Sequence, residues 1–270
     1  MRDFMVKFWG VRGSCPAPGK QTILFGGNTP CIELKIGDRI LILDAGTGIR
    51  ELGLSLQQKN KKLDLDLFIT HTHWDHIQGL PFFKPLYKSG NNFTIYGYEG
   101  IDNLIKNQFQ TNLFPVQFDD IKSNIKFRIL SDDSFLNIDK NIRVDTMFTN
   151  HIGKNLAYKF ESDNKSLCYL GDIEHKEKEN LALINFVKDA DIIIYDAKYT
   201  NEEYFSSKAG RGHSTWQEAV KLAKSVKPEK LILFHHSPFR SDIELEKIEK
   251  LAKADYRNTA VAKEGMVINL

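Results

Sequence analysis

The hexapeptide His71-Thr72-His73-Trp74-Asp75-His76 packs four potential metal ligands into six residues, directly after an apolar run that ends at Thr70. A strand that continues through the first two histidines would point both imidazoles the same way, because side chains alternate along a strand. The turn that follows would present the aspartate and the last histidine to a second point. Packing three imidazoles and a carboxylate together without a counter-charge would be costly. The hexapeptide therefore predicts a site for two metal ions.

Strand ends elsewhere in the chain carry the same kinds of side chain. Side chains at strand ends can converge on one edge of a sheet, where ligands tend to bind in α/β folds. Imidazole nitrogen and carboxylate oxygen suit zinc first, and manganese or iron are also accepted. Apolar runs end directly in His71, His151, Asp172, Asp196 and His235.

The spacing of apolar residues predicts a layered α/β protein, with helices packed outside two sheets. Thr215 with Glu218 predicts a capped helix to about Val226, and Ser241 with Glu244 a second one to about Ala252. No linker or repeat divides the chain, so a single domain over residues 1–270 is expected. The predicted strands are Val6–Trp9, Cys31–Ile36, Ile40–Leu43, Leu65–Thr70, Phe93–Tyr96, Ile142–Phe148, Leu156–Phe160, Leu167–Leu170, Asp191–Tyr195 and Leu231–Phe234.

The composition is that of an ordinary globular protein, with 41% hydrophobic and 27% charged residues among 270. The net charge of +2 gives no electrostatic case for nonspecific nucleic-acid or membrane binding. Three cysteines without C-x-x-C spacing indicate a reducing compartment. With no signal-peptide pattern and no apolar run of membrane length, a cytoplasmic protein without a membrane partner is expected.

The hexapeptide resembles the H-x-H-x-D-H motif of the metallo-β-lactamase-fold hydrolases. That family continues with a histidine on a later strand, a Gly-Asp pair and a last histidine closing a strand, and this chain has His151 in TNHIG, Asp172 in YLGDI and His235 in LILFHHSP in that order. The resemblance covers nearly the whole chain. It implies a four-layer αββα sandwich with the site at one edge.

The resemblance also implies two divalent metal ions and assigns their ligands. Asp172 would bridge the two ions, and Asp75 would be catalytic as well as a ligand. Alternation along the last strand sends His236 to the opposite side, so His235 is the expected ligand. The first ion would take His71, His73 and His151, and the second Asp75, His76 and His235.

The segment Gly212-His213-Ser214-Thr215 resembles the histidine-bearing H-S-T segment of ribonuclease Z-like phosphodiesterases. There the histidine stabilises phosphate charge or protonates the leaving oxygen. Imidazolium is a suitable acid at neutral pH, and a following helix N-terminus favours anions. His213 is therefore the expected general acid, acting with a hydroxide held by both metals, since metal binding lowers the pKa of water from about 15.7 to roughly 7.

Two further segments narrow the expected substrate. FWGVRGS, residues 8–14, and YDAKYTNEEY, residues 195–204, resemble a bacterial branch that includes cyclic-nucleotide phosphodiesterases. Ribonuclease Z carries a long tRNA-binding arm between the third histidine and the bridging aspartate, but His151 and Asp172 are only 21 positions apart (172 − 151). A small phosphodiester, best a 3′,5′-cyclic nucleotide, is expected, and tRNA is not.

Other residues are candidates for shaping the pocket. Trp74, Lys208 and Arg211 are the predicted substrate-binding residues, the first by stacking on a base and the others by meeting a phosphate. Asp196 is a candidate for orienting a ligand histidine. The apolar loop Leu113–Val116 fits a lid or the contact of a homodimer. The other aromatic candidates for stacking are Phe82, Phe83, Tyr199 and Phe205.

Two other functions remain open at the level of sequence. A thioesterase or lactonase of the glyoxalase II type shares the ligand set but does not need a histidine before the late helix. A metal- or nucleotide-binding sensor without turnover would keep the same ligands and would hold a nucleotide unhydrolysed.

Overall fold

The computed structural model of the protein describes residues 2–58, 61–176 and 180–270. Within these ranges the strands form two seven-stranded sheets, ordered β14-β1-β2-β3-β4-β5-β6 and β13-β12-β11-β10-β9-β8-β7. The first sheet contains β1 (Phe4–Gly10), β2 (Cys31–Ile36), β3 (Arg39–Leu43), β4 (Asp64–Phe68), β5 (Asn92–Gly97), β6 (Asn124–Ile129) and β14 (Val267–Asn269). The second contains β7 (Ser134–Asp139), β8 (Ile142–Phe148), β9 (Leu156–Ser162), β10 (Lys165–Tyr169), β11 (Ile192–Asp196), β12 (Lys230–Phe234) and β13 (Thr259–Val261).

Each sheet changes from antiparallel to parallel pairing at one strand. In the first sheet β3 pairs antiparallel with β2 and parallel with β4. In the second sheet β10 pairs antiparallel with β9 and parallel with β11. Parallel strands of one sheet end at the same edge, so the residues that follow β3 and β4 lie together in the first sheet, and those that follow β11 and β12 lie together in the second.

Helices lie between the strands along the chain. The longest described helix is α7, which begins after its N-cap residue Ser241 and forms a reciprocal capping box between Ser241 and Glu244 in its first turn. Thr215 accepts a hydrogen bond from the Glu218 amide at the start of α6. The helices are α1 (Ile49–Gln57), α2 (Trp74–Ile77), α3 (Ile101–Asn107), α4 (Leu181–Val187), α5 (Asn201–Glu203), α6 (Trp216–Val226) and α7 (Asp242–Asp255), with 3₁₀ turns at Leu80–Phe82, Lys84–Tyr87 and Phe118–Asp120 and a π-helix at Tyr204–Lys208.

Three apolar layers hold the sheets and helices together. The central layer joins the two sheets, and Phe68 and Phe160 meet edge-to-face across it with ring centroids 5.1 Å apart. A second layer packs α4, α6 and α7 on the outer face of the second sheet. A third packs α1 and α3 on the outer face of the first. The arrangement is helix, sheet, sheet, helix, which confirms the predicted αββα sandwich.

The predicted strands all occur, with ends shifted by one or two residues, but one extension is wrong. β4 ends at Phe68 and does not continue through His71 and His73. The chain leaves the first sheet at Thr70, because its amide donates to Asp44 Oδ1 and its carbonyl accepts from the Leu156 amide of the second sheet. Strands β6, β7, β13 and β14 were not predicted.

The solvent-facing pattern of β6 and β7 explains why they escape prediction. Both alternate half-buried and exposed residues and carry many polar side chains.

Among the described residues, no helix is long and apolar enough to cross a membrane.

Candidate metal centre

The hexapeptide 71–76 forms a loop and the first turn of α2. His73 is the N-cap residue of α2, with extended backbone (φ −59°, ψ 146°). Asp75 and His76 therefore lie in a helical turn, while His71 lies in the preceding loop. The helix begins at Trp74, between the two pairs of candidate ligands, so a loop followed by a helical turn stands where the sequence predicts a continuing strand and a turn.

The first group of converging side chains consists of His71, His73, His151 and Asp172. His151 Nε2 lies 3.2 Å from His73 Nδ1, and Asp172 Oδ2 lies 3.6 Å from His71 Nε2 and 3.8 Å from His151 Nε2. His73 is the exposed member of this group, whereas the side chains of His71, His151 and Asp172 are all at most 2% exposed. Solvent therefore reaches this group at His73.

The second group consists of Asp75, His76 and His235, all buried. His235 Nε2 lies 3.0 Å from Asp75 Oδ2 and 3.3 Å from His76 Nε2. Ligand atoms around a tetrahedral ion bound at about 2.1 Å lie roughly 3.4 Å apart. Both groups therefore have the spacing of coordination shells.

Asp172 faces both groups with different oxygen atoms. Its Oδ1 lies 3.2 Å from both His76 Nε2 and His235 Nε2, while its Oδ2 faces His71 and His151. One carboxylate oxygen is thus directed at each group, the arrangement that a bridging ligand requires.

The hydrogen bonds behind the histidines fit metal ions. The ring nitrogen remote from the centre faces an oxygen in three of them: His71 Nδ1 faces Thr70 Oγ1, His76 Nδ1 faces Asp44, and His151 Nδ1 donates to the Gly212 carbonyl at 2.6 Å. Such contacts fix the tautomer that leaves the other nitrogen for a metal.

Three buried side-chain atoms at the centre have no hydrogen-bond partner among the described residues: His71 Nε2, Asp172 Oδ1 and His235 Nδ1. An unpaired buried polar atom is costly unless something else binds it. His71 Nε2 and Asp172 Oδ1 face the ligand groups, and divalent cations would satisfy both atoms, so the residues present fit a pair of metal ions.

The electrostatics of the centre favour the deprotonated form of three candidate ligands and the protonated form of a fourth. Burial lowers the pKa of His71 well below its usual value, and burial also lowers the pKa of His151. Burial alone would raise the pKa of Asp75, but His76 and His235 outweigh it and hold that pKa well below its ordinary range. Metal ligands must be neutral imidazole or ionised carboxylate, which is the state that these three shifts favour.

His76 differs: burial alone would lower its pKa, but the charges of Asp172, Asp75 and Asp44 outweigh burial and raise that pKa well above its ordinary value. A metal ion would therefore have to displace a proton from His76.

Asp44 is a residue of the centre that the sequence analysis missed. It follows β3 in a left-handed conformation (φ 59°), and its Oδ2 lies 2.8 Å from His76 Nδ1. Its carboxylate also accepts hydrogen bonds from the Thr70 amide and from the Tyr169 hydroxyl at 2.6 Å. A sequence signal existed, since β3 ends directly in an aspartate, as the strands before the predicted ligands do.

His213 lies beside the ligand groups and not among the predicted ligands. Its Nδ1 is 2.8 Å from Asp196 Oδ2 and 3.6 Å from Asp172 Oδ2, and its Nε2 is 2.9 Å from Lys198 Nζ. Burial lowers the pKa of His213, but the charges of Asp196 and Asp172 outweigh it and raise that pKa above its ordinary value. Asp196 is thus the carboxylate nearest to His213 and orients its ring. The other oxygen of Asp196, Oδ1, lies 3.8 Å from His235 Nδ1. Asp172, Asp196, His213 and His235 also form a third converging group.

The two neighbouring histidines after β12 face opposite ways. His235 points into the second group and has a left-handed backbone (φ 59°), a conformation that is uncommon for non-glycine residues. His236 Nε2 instead faces the Ala262 carbonyl at 2.8 Å, and burial lowers its pKa to about 3. The predicted distinction between the two agrees with this geometry.

The N-terminal loop closes over His235. A Cβ added at Gly13 would lie 2.3 Å from the His235 ring, so only glycine allows this approach. The adjacent Ser14 amide donates to Asp75 Oδ2 at 2.6 Å. Buried Arg12 fixes the loop by donating to the Gly26 and Arg240 carbonyls, both at 2.7 Å.

The three predicted substrate-binding residues are all exposed, but they lie on two different segments of the chain. Trp74 is 77% exposed and lines an apolar groove beside the hexapeptide with Phe82 and Phe114. Lys208 and Arg211 are exposed on the segment before His213.

The remaining aromatic candidates also differ in position. Phe83 is buried in the third apolar layer and cannot stack on a substrate. The Tyr199 ring lies 6.0 Å from that of His213, and Phe205 is exposed.

Comparison with known proteins places the chain in a family. Residues 39–236 match the model of the beta-lactamase superfamily domain. Ribonuclease Z of Pyrococcus horikoshii is 26% identical over 86% of each chain. Among solved structures, the metallo-beta-lactamase fold protein YhfI of Bacillus subtilis superposes with a TM-score of 0.78 at 19% identity over 100% of both chains. The short form of human tRNase Z superposes with a TM-score of 0.71 at 20% identity over 98% of both.

The family model covers most of the chain, and the protein therefore belongs to the beta-lactamase superfamily. This confirms the resemblance carried by the hexapeptide, and it identifies the protein as a metal-dependent hydrolase.

The expectation that tRNA is not a substrate finds no support, because relatives that match most of the chain are named ribonuclease Z and tRNase Z. That expectation rested on the short segment between His151 and Asp172, which holds the β9–β10 hairpin. A missing arm removes one way of holding RNA and does not exclude RNA itself.

Proposed function

We propose that this member of the beta-lactamase superfamily hydrolyses a small phosphodiester, and that a 3′,5′-cyclic nucleotide is the substrate that fits it best. The observation that carries the proposal is the pair of His213 and Asp196 at the edge of the ligand groups. A thioester or lactone hydrolase has no need of an acid there, whereas expelling an alkoxide from phosphorus does.

The ligand assignment is part of the proposal. One ion would be held by the first group and one by the second, with Asp172 shared; zinc is the first choice, and manganese or iron suit the same donors. When bound, two such ions supply hydroxide at neutral pH and positive charge opposite the scissile phosphoryl group. Besides Asp172, the first ion would take His71, His73 and His151, and the second would take Asp75, His76 and His235.

The side chains around the ions would do the remaining work. Asp75, fixed by the Ser14 amide, is proposed to accept a hydrogen bond from the attacking water. His213, fixed by Asp196, is proposed to give a proton to the departing ester oxygen. The groove at Trp74 and Phe82 offers aromatic faces on which a base can stack, a contact worth about 1–3 kcal/mol. Lys208 and Arg211 remain candidates for a more distant phosphate.

The test is a substrate panel on the metal-loaded protein. It contains 3′,5′- and 2′,3′-cyclic nucleotides, bis(p-nitrophenyl) phosphate and an acyl thioester, each with and without added zinc or manganese. We expect turnover of the phosphodiesters, and we expect His213→Ala to lose about 10²- to 10⁴-fold in kcat while keeping its metal content. Rapid thioester hydrolysis without phosphodiesterase activity would favour the glyoxalase II type. A cyclic nucleotide that binds tightly but stays intact would favour a sensor.

A second candidate is the cleavage of precursor tRNA, which the names of the relatives favour. It uses the same ligand groups and the same acid, so only the substrate separates the two. Adding a precursor tRNA to the panel decides between them: cleavage of the tRNA with no turnover of cyclic nucleotides would replace the small-substrate proposal.

A further inference from the structure

Lys198 is a buried cation beside the candidate metal centre, and no role has yet been assigned to it. It lies two residues after Asp196, and the residue is only 6% exposed. Its Nζ is 2.5 Å from Ser14 Oγ and 2.9 Å from His213 Nε2. Both contacts link it to groups that touch the centre, since the Ser14 amide donates to Asp75.

The surroundings of Lys198 leave its charge without an anionic partner. Its two polar contacts are a hydroxyl and an imidazole, and no carboxylate among the described residues forms an ion pair with its ammonium. The Tyr199 ring lies 5.8 Å away and offers weak cation–π stabilisation. A buried cation without an anionic partner is costly, so the burial of Lys198 indicates that an anion binds beside it.

The backbone holds Lys198 firmly in this position. Its amide donates to Asp196 Oδ1 at 3.2 Å, and its carbonyl accepts from Arg240 at 3.3 Å. Arg240 is itself buried and forms an ion pair with Glu203 at 2.6 Å. These bonds fix the backbone of Lys198, and the contacts of its ammonium to Ser14 and His213 fix the side chain.

The position of the ammonium relative to His213 suggests what it meets. Asp196 occupies Nδ1 of His213, so an oxygen that takes a proton from this ring must approach Nε2. Lys198 Nζ lies 2.9 Å from that atom. Any substrate oxygen within hydrogen-bonding reach of Nε2, about 3 Å, consequently comes close to Nζ as well.

We propose that Lys198 is a substrate-binding residue that donates a charge-assisted hydrogen bond to an oxygen of an anionic phosphodiester beside His213. An ammonium has three N–H donors, and the contact to Ser14 uses one of them. The contact to His213 uses a second only while Nε2 of the ring is unprotonated, because an Nε2 that carries the proton for the leaving oxygen cannot accept. The third is available to the phosphoryl group. This inference rests on the proposed function and adds to it a determinant of specificity: the site distinguishes a phosphodiester, which carries a negative charge, from a neutral carboxylic ester.

The test compares Lys198→Gln with the wild type on two chromogenic substrates, bis(p-nitrophenyl) phosphate and p-nitrophenyl acetate. Glutamine keeps a donor for Ser14 or His213 and removes the charge. We expect kcat/KM for the phosphodiester to fall about 10- to 100-fold, the range for losing one charge-assisted hydrogen bond, and that for the neutral ester to change less than about 3-fold. The inhibition constant of inorganic phosphate should rise by a similar factor, with metal content unchanged. Exposed Lys221→Gln, on α6, is the matched control and should behave as the wild type.

Equal losses on the two esters, or an unchanged kcat/KM for the phosphodiester, would overturn the assignment of Lys198. Should Lys198→Gln not fold, Ser14→Ala provides the second variant, because it removes the hydroxyl that holds Nζ and keeps the backbone amide that contacts Asp75. It should weaken phosphate inhibition about 3- to 10-fold, as loss of one neutral hydrogen bond does, and no change would count against the proposal. A wild type that hydrolyses no phosphodiester refutes the proposed function, whereas phosphate binding still tests Lys198 separately.

Discussion

The two sheets share one strand pattern and use it differently. In each, an aspartate follows the strand at which antiparallel pairing gives way to parallel pairing: Asp44 after β3 and Asp172 after β10. Asp44 lies behind His76, and Tyr169 and Thr70 donate to its carboxylate. Asp172 lies between the ligand groups, and its Oδ1 has no hydrogen-bond donor among the described residues. The donors around a carboxylate, rather than its place in the topology, decide whether it supports a ligand or is available to a metal.

The sheets also differ in how they supply histidines. The first sheet is followed by one hexapeptide that holds four of the proposed ligands, and a loop and a helical turn fix their relative positions. The second sheet provides the proposed ligands His151, Asp172 and His235 singly, each after the end of a different strand. The first half of the centre is therefore a local structure, and the second half depends on the packing of the whole second sheet against the first.

The largest effect is expected from Asp172→Asn. The substitution removes the charge that faces both groups, and we expect loss of both ions and a fall in phosphodiester turnover on the order of 10³-fold. Metal analysis and kinetics would measure this, with Asp163→Asn, in the exposed turn of the β9–β10 hairpin, as the control that keeps both properties. An Asp172→Asn protein that retained two ions would contradict the proposed difference, in which Asp172 binds the ions and Asp44 only supports a ligand.

A smaller effect is expected from His235→Gln, with His236→Gln as its matched partner. The first removes a proposed ligand of the second group. We expect the variant to lose one ion per chain and its phosphodiester turnover to fall about 10²-fold. The second keeps a donor for the Ala262 carbonyl, and we expect full metal content. If His236→Gln lost metal and His235→Gln did not, the assignment at the end of β12 would be reversed.

The smallest effect in this series is expected from Asp44→Asn. Asparagine tolerates the left-handed backbone, but it cannot accept from all the donors around Asp44. Loss of such a contact behind a ligand histidine typically costs about 10- to 100-fold in metal affinity. A chelator competition measures the affinity, with exposed Asp38→Asn as the control. Unchanged affinity would mean that the Asp44–His76 contact does not support the second group.

Much of the fold and the centre is readable from sequence because it depends on local patterns. Each of these patterns can be recognised within a few residues of sequence: the hexapeptide, the strands that end in His or Asp, and the capping box at Ser241. The sequence also predicts that His235 and His236 face opposite ways, as they do. The cause differs from the predicted strand alternation, because both residues follow the end of β12 and His235 has a left-handed backbone.

What the sequence did not predict depends on tertiary contacts. The end of β4 at Phe68 is set by bonds from Thr70 to Asp44 and Leu156, residues that are distant along the chain. Lys198 looks like an ordinary lysine in sequence, and only folding brings it to Ser14 and His213. The polar strands β6 and β7 lack an apolar face strong enough to be recognised.

The number of divalent ions per chain, measured by mass spectrometry of the metal-reconstituted protein, tests the account most directly. Two separately occupied groups joined by Asp172 predict two ions for each chain. A protein that took up no divalent ion under any loading condition, or that saturated at a single ion unaffected by His235→Gln, would contradict the dinuclear centre on which the proposed chemistry depends.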